Sequence, residues 1–221
     1  MHIEVLVEDS SGGKLIELLL LQVIGAYGEP HTWRVHDYSG IGRLPKKQAA
    51  ADLSSRKTLL DRLPGILRAH GKTQGIDAVV VVLDSDRRDC RELLAELHTL
   101  LASCDPAPNT LFRLAIEEME AWLLGDGKAL LKAYPKARRE VLSRYVQDSV
   151  CGTWEVLADA IFPGGSAAIQ KAGWPLPGQV KHEWVEQIGP HLDIELNASP
   201  SFCKFRDGLR RLTSTNPAAG A

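Results

Sequence analysis

AVVVVLDSD, residues 78–86, is the most regular apolar segment of this 221-residue chain. Its centre is an unbroken run of valines, whereas a strand with one solvent-exposed face alternates apolar and polar residues. The segment therefore predicts a central parallel strand that is covered by helices on both faces. It ends abruptly at Asp84-Ser85-Asp86, which places two carboxylates at the carboxyl end of the strand.

Strand and helix patterns alternate on both sides of this run. Three further strands are predicted at Ile3–Val7, Trp33–Tyr38 and Leu111–Ile116, and helices at Lys14–Ile24, Ser54–His70 and Arg91–Leu101. We expect Pro64 to kink the second of these helices or to begin a new one. Strand–helix repeats of this length predict an α/β fold with a parallel, doubly wound sheet over residues 1–125.

The chain from Glu117 onward is predicted to be mainly helical. Helical patterns occur at Glu117–Leu124, Ala129–Tyr134, Trp154–Phe162, His182–Leu192 and Phe202–Leu212. We therefore expect a helical C-terminal extension, residues 126–212, packed on the sheet domain. Residues 213–221 are predicted to be a flexible tail.

Composition is that of an ordinary globular protein, with 44% hydrophobic and 24% charged residues. The four cysteines show no C-x-x-C spacing, so a zinc ribbon or a thioredoxin-type redox motif is not indicated. Scattered cysteines in a chain of this size are typical of a reduced, cytoplasmic protein. The longest apolar runs are far shorter than a membrane span, so no membrane association is expected.

The charge distribution is uneven, although the net charge is only −2. Two basic segments, Arg43–Lys72 and Lys128–Arg144, flank an acidic centre between Asp77 and Asp126. This arrangement suits a metal site that handles a polyanion such as nucleic acid. The alternative is that all three segments are solvated helix faces.

Three carboxylates follow predicted strands. Glu8 comes directly after the first strand, and Asp84 and Asp86 come directly after the valine-rich one. Ligands of open α/β sheets bind beyond the carboxyl ends of the strands. On extended backbone, side chains at i and i+2 point the same way, and such oxygen ligands favour Mg²⁺ or Mn²⁺ over zinc. The alternative is that Asp84 caps the next helix and Glu8 is a surface acid.

Four segments together resemble a known family. They are VLVE (5–8), VVVLDSD (80–86), LAIEEMEAWLLGD (114–126) and SPSFCKFR (199–206). The glutamate after the first strand and the later D-x-D resemble the TOPRIM pattern. The other two segments resemble an uncharacterised bacterial TOPRIM family, which is related to OLD-type nucleases and is found beside ABC-type ATPases in phage-defence settings.

The resemblance implies a TOPRIM-like fold and a Mg²⁺- or Mn²⁺-dependent nuclease that hydrolyses phosphodiesters in phage defence or repair. It also implies an ABC- or AAA-type ATPase partner and allows a homodimer. The alternative is a non-catalytic TOPRIM-like module that binds nucleic acid or regulates an ATPase. Asp9 stands where TOPRIM proteins usually have glycine, which either adds a ligand or reduces catalytic competence.

Glu120 is a further candidate ligand on helical periodicity alone. A helix over Ile116–Asp126 places Glu120 inside an apolar arc and turns Glu118 toward solvent. A buried carboxylate needs compensation, so we expect Glu120 to join the cluster as a catalytic and metal-binding residue, with Asp126 as a second candidate ligand. The alternative is that Arg113 or a backbone amide satisfies Glu120.

Three lysines are candidate phosphate contacts, or else surface residues that promote solubility. They are Lys14, Lys181 and Lys204.

Overall fold

The valine-rich segment forms one of two central strands in a four-stranded parallel sheet. The computed structural model describes residues 1–45 and 58–214. The strands are β1 (His2–Val7), β2 (Thr32–Asp37), β3 (Ala78–Asp84) and β4 (Thr110–Ala115), in the order β2-β1-β3-β4. All three pairings are parallel, which confirms the predicted sheet.

Helices cover both faces of the sheet, as the unbroken apolar run of β3 predicts. The bounds are α1 (Ser10–Ile24), α2 (Leu59–Lys72) and α3 (Cys90–Ala102). Val80 and Val82 belong to the same apolar core as the buried face of α1, while Val79 and Val81 belong to the core under α2 and α3. Each face of β3 is therefore buried in a separate core, and the α/β class is confirmed.

The chain beyond the sheet is helical and packs on the α1 face. Its helices are α4 (Glu120–Leu124), α5 (Gly127–Ala133), α6 (Arg139–Leu142), α7 (Thr153–Ile161), α8 (Gly165–Ala172), α9 (Leu176–Ile188) and α10 (Pro200–Ser214). Trp122, Trp184 and Phe202 are buried in one continuous core with α1 and β1. Among the described residues, no helix combines the length and apolar content that a membrane span requires.

Several element boundaries differ from the sequence-based predictions. Pro64 is a buried residue inside one helix, α2, and begins no second one. A proline at this position removes one helical hydrogen bond. The helix predicted at His182–Leu192 instead begins at Leu176 and ends at Ile188. Residues 46–57, which include the predicted start of α2 and part of the first basic segment, lie outside the described residues. So do residues 215–221 of the predicted tail.

Candidate functional site

The two central strands bring Glu8 and Asp84 together, because the carboxyl ends of neighbouring parallel strands meet at one sheet edge. Glu8 follows β1 and Asp84 is the last residue of β3. Both line a cleft that also includes Glu120 of α4 and Lys181 of α9. The cavity volume is about 10 Å³, which gives room for about one water molecule or ion. Three of the predicted ligands therefore share one small cavity.

Glu8 is buried in a way that disfavours its charge. Burial and the nearby charges of Asp86 and Asp9 raise the pKa of Glu8 to about 7, although a backbone hydrogen bond from Asp84 opposes the shift. Its Oε2 atom is buried and has no hydrogen-bond partner. A buried acceptor without a partner is costly, so this oxygen is available to a cation or a proton.

Asp84 also lies in an environment that disfavours its negative charge. Burial raises the pKa of Asp84 well above its usual value, and the charges of Glu8 and Glu120 raise it further. Its Oδ1 atom is buried without a hydrogen-bond partner. Asp84 does not cap the following helix, because Asp89 accepts hydrogen bonds from the amides of Arg91 and Glu92 at the start of α3.

Lys181 places one positive charge among these carboxylates. Its Nζ atom lies 3.2 Å from Oε1 of Glu120 and 3.4 Å from Oε2 of Glu118. Burial alone would lower the pKa of Lys181, but the charges of Glu120, Glu118 and Asp84 outweigh it and raise the pKa. Lys181 is therefore a charged, partly buried counter-ion, and its role as a phosphate contact stays a prediction.

Glu120 occupies the buried position that helical periodicity predicts, with only 6% of its surface exposed. The carboxylate of Glu120 forms an ion pair with Lys181. Arg113, the alternative partner, instead donates to the backbone carbonyls of Lys204 and Phe112.

Helical periodicity predicted that Glu118 turns toward solvent, and this prediction is wrong. The helix begins at Glu120, and Glu117 has a left-handed φ of 60°, so residues 116–119 form a turn that does not follow helical winding. Glu118 turns inward to Lys181. Burial raises the pKa of Glu118 to about 7, with Lys181 opposing the shift and Glu120 adding to it.

Glu117 has a structural role that the sequence analysis missed. Its carboxylate accepts hydrogen bonds from the amides of Cys151, Gly152 and Thr153, at the start of α7. Burial raises the pKa of Glu117, but hydrogen bonds from Thr153 and these amides outweigh it, and the net pKa is lowered. Glu117 therefore ties the acidic turn to the helical part of the chain.

Asp86 lies at the edge of the cluster rather than inside it. It has a left-handed φ of 48° and is exposed, so the premise of extended backbone through Asp84-Ser85-Asp86 is wrong. The turn is held by hydrogen bonds from the amide of Asp86 to the carbonyl of Glu117, and from the amide of Glu117 to Oγ of Ser85. Asp86 lines a neighbouring groove with Arg43 and Arg88, which places the start of the first basic segment beside the cluster.

The aspartate at position 9, where TOPRIM proteins usually have glycine, has a structural role. Its carboxylate caps α1 by accepting hydrogen bonds from the amide of Gly12 (2.7 Å) and Oγ of Ser11 (2.8 Å). Its backbone is extended, which any residue can adopt. Gly12 makes the close approach, since an added Cβ would lie 2.9 Å from Sδ of Met119 and would have to displace that flexible side chain.

Three other predicted site residues lie elsewhere. Asp126 caps α5 through the amides of Lys128 and Ala129, and its second oxygen accepts from the amide of Asp193. Lys14 forms an ion pair with Glu186. Lys204 is exposed on α10. The structure thus provides no role for Asp126 in the cleft, because three backbone amides occupy its carboxylate.

The donor set of the cleft fits Mg²⁺ or Mn²⁺ in chemistry, because it consists of carboxylate oxygens, two of them without partners. Within residues 1–45 and 58–214, however, no group of three or more His, Cys, Asp or Glu side chains is arranged to hold a metal ion. Among the described side chains, the cation that pairs with these carboxylates is the ammonium of Lys181.

Comparison with known proteins gave no further assignment. No protein-family model matches this chain, and neither a curated protein nor a solved structure shows significant similarity to it.

Proposed function

We propose that this protein is a Mg²⁺- or Mn²⁺-dependent nuclease of the TOPRIM type, which hydrolyses phosphodiesters in nucleic acid. One observation carries the proposal. Glu8 and Asp84, at the ends of the two central strands, each present a buried oxygen without a partner to the cleft that contains Glu120. The raised pKa values of Glu8 and Asp84 mean that this cleft has too little positive charge to balance its carboxylates.

Glu8, Asp84 and Glu120 would hold the metal, which when bound neutralises phosphate charge and activates a water nucleophile. Asp86 lies beside Arg43 and Arg88 in the adjoining groove. Those guanidinium groups can bind phosphates on either side of the scissile bond. Lys181 holds Glu120 in place through its ion pair and keeps a positive charge beside the cluster.

One observation favours a second candidate function. Lys181 already pairs with two glutamates, and the described residues include no ready-made group of three metal ligands. Lys181 supplies part of the compensating positive charge of the cleft without a metal ion. Such a cleft is compatible with a non-catalytic module that binds nucleic acid or regulates an ATPase.

Cleavage assays separate the two functions. The purified chain is incubated with single-stranded and duplex DNA and RNA in Mg²⁺ or Mn²⁺, with EDTA as the metal-free control. We expect metal-dependent cleavage that Asp84→Asn abolishes. The matched control is Asp89→Asn, because Asp89 caps a helix and asparagine caps about equally well.

Each outcome decides between the candidates. Cleavage by the wild type and Asp89→Asn but not by Asp84→Asn supports the nuclease. Equal cleavage by all three proteins would place the chemistry outside this cleft. Absence of cleavage by the wild type with either metal would favour the non-catalytic module.

A further inference from the structure

Trp174 is an exposed aromatic residue close to the start of α9, the helix that carries Lys181. Only Pro175 separates it from this helix, and 83% of its surface is exposed. All five tryptophans lie within the described residues, and the other four are buried or partly buried. The six-membered part of the Trp174 ring rests on Gly178, where an added Cβ would be 3.2 Å from Cζ3 and Cη2. The absence of a side chain at Gly178 thus lets the indole lie against the helix.

Helix geometry connects this ring to the carboxylate cleft. Positions 178, 181, 182 and 185 of α9 are three or four residues apart, so they share one face of the helix. Lys181 and Val185 line the cleft, and His182 contacts Oγ of Ser10 at 2.8 Å, next to Asp9. Gly178 precedes Lys181 by about 4.5 Å along the helix axis. Trp174 therefore extends the cleft-facing side of α9 outward by about one turn.

The chain segment around Trp174 favours a single flat ring as the binding partner over another protein. In residues 165–188, all of which are described, Trp174 is the only large hydrophobic residue that is exposed. Nearby Lys171 and Gln179 are also exposed. A stable protein interface needs a much larger, clustered apolar area, whereas an unpaired nucleobase stacks on one aromatic side chain.

We propose that Trp174 stacks on an unpaired base of a single-stranded nucleic acid, DNA or RNA, whose backbone lies at the carboxylate cleft. This inference rests on the proposed function and specifies its substrate class. A base in an intact duplex is already stacked on both faces, so Trp174 favours single strands or frayed ends. Stacking also tolerates any base sequence, because every base has a π-face.

The test measures binding without cleavage. Fluorescently labelled 12-nucleotide single strands of DNA and RNA, and a hairpin duplex whose loop is a non-nucleotide linker without bases, are titrated with the full chain in Ca²⁺, which takes the same oxygen ligands as Mg²⁺. The variants are Trp174→Ala, Trp174→Phe and the control Leu196→Ala, in which Leu196 is 64% exposed and lines a different cavity. Iodide quenching of tryptophan fluorescence reports directly on the exposed Trp174.

We expect Trp174→Ala to bind single strands roughly 5- to 150-fold more weakly, the loss expected for one stacked base. Trp174→Phe retains a stacking ring and should stay close to the wild type, Leu196→Ala should equal it, and hairpin binding should not change. The single strand should also protect wild-type fluorescence from iodide.

Three results would overturn the inference. The first is unchanged single-strand affinity in Trp174→Ala, and the second is an equal loss in the alanine and phenylalanine variants. The third is a wild-type dimer that Trp174→Ala converts to a monomer, since Trp174 would then contact a second copy of the chain. If the wild type still cleaves nucleic acid in the first case, only the stacking fails; if it neither binds nor cleaves, the proposed function fails as well.

Discussion

Replacing Glu8 with glutamine should remove the loss of stability that the metal-free protein suffers, because of Glu8, as pH rises. The folded protein raises the pKa of Glu8 from 4.5 to about 7. Between these values the folded state holds a proton that the unfolded state has released, so stability falls as pH rises. A shift of this size corresponds to about 3 kcal/mol in total, of which about 2.5 kcal/mol falls between pH 5 and pH 8. Glutamine keeps the shape of the side chain and does not titrate.

The measurement is the melting temperature of both proteins in EDTA at pH 5 and pH 8. About 2.5 kcal/mol corresponds to a change of roughly 5–10 °C for a chain of this size. We expect Glu8→Gln to gain that much relative to the wild type on going from pH 5 to pH 8. The charge of Glu8 also raises the pKa of Asp84, so the difference between the two proteins reports on Glu8 together with its effect on Asp84. A difference that does not change with pH would refute the buried, charge-deficient environment assigned to Glu8.

The remaining predictions test the metal, the acidic turn and the adjoining groove. Mn²⁺ at a hundredfold excess over its Kd should stabilise the wild type by about 2.7 kcal/mol, and thermal melting of Asp84→Asn should show no such gain. The neighbouring Glu117 and Glu118 should respond with opposite sign, because the pKa of Glu117 is lowered and that of Glu118 is raised to about 7. Glu117→Gln should lose about 1–3 kcal/mol of unfolding free energy in denaturant at pH 8, because the amides at the start of α7 lose one of two carboxylate oxygens and the negative charge. This loss should shrink as pH falls below 4.5. Glu118→Gln should become more stable relative to the wild type between pH 5 and pH 8, and a loss there would contradict its inward placement. If Arg43 contacts phosphate, Arg43→Gln should reduce the slope of log affinity against log salt by about one, and an unchanged slope would remove the groove from the nucleic-acid path.

The fold could be predicted because its strongest signal is local. An unbroken valine run is compatible with few environments, and the structure buries both faces of β3 as that pattern requires. Parallel strands also fix where carboxyl ends meet, so Glu8 and Asp84 could be expected at one edge from their positions alone. The helical period likewise indicated the burial of Glu120, even though the helix itself is only five residues long.

The sequence analysis failed where backbone conformation departs from a regular period. Glu117 and Asp86 both adopt left-handed φ values, and each breaks the geometry that periodic reasoning assumes. Glu117, Glu118 and Glu120 fall within four consecutive positions of an otherwise apolar segment. That clustering was a signal that more than one of them is buried. Their separate roles depend on the amides of α7 and on Lys181, which are distant in sequence.

The position of Lys181 shows that the helical part of the chain completes the site. A sheet with α1 and α4 alone would bring Glu8, Asp84 and Glu120 together with no ammonium among them, and buried like charges destabilise one another. Lys181 reaches them because α9 packs on α1, with Val185 buried in the shared core and His182 bonded to Ser10. The cleft therefore depends on contacts between residues more than 170 positions apart, as the pair Ser10–His182 shows. A fragment ending near residue 125 would keep the carboxylates and lose the ammonium of Lys181 that pairs with Glu118 and Glu120, so the cleft as the structure shows it requires residues on both sides of position 125.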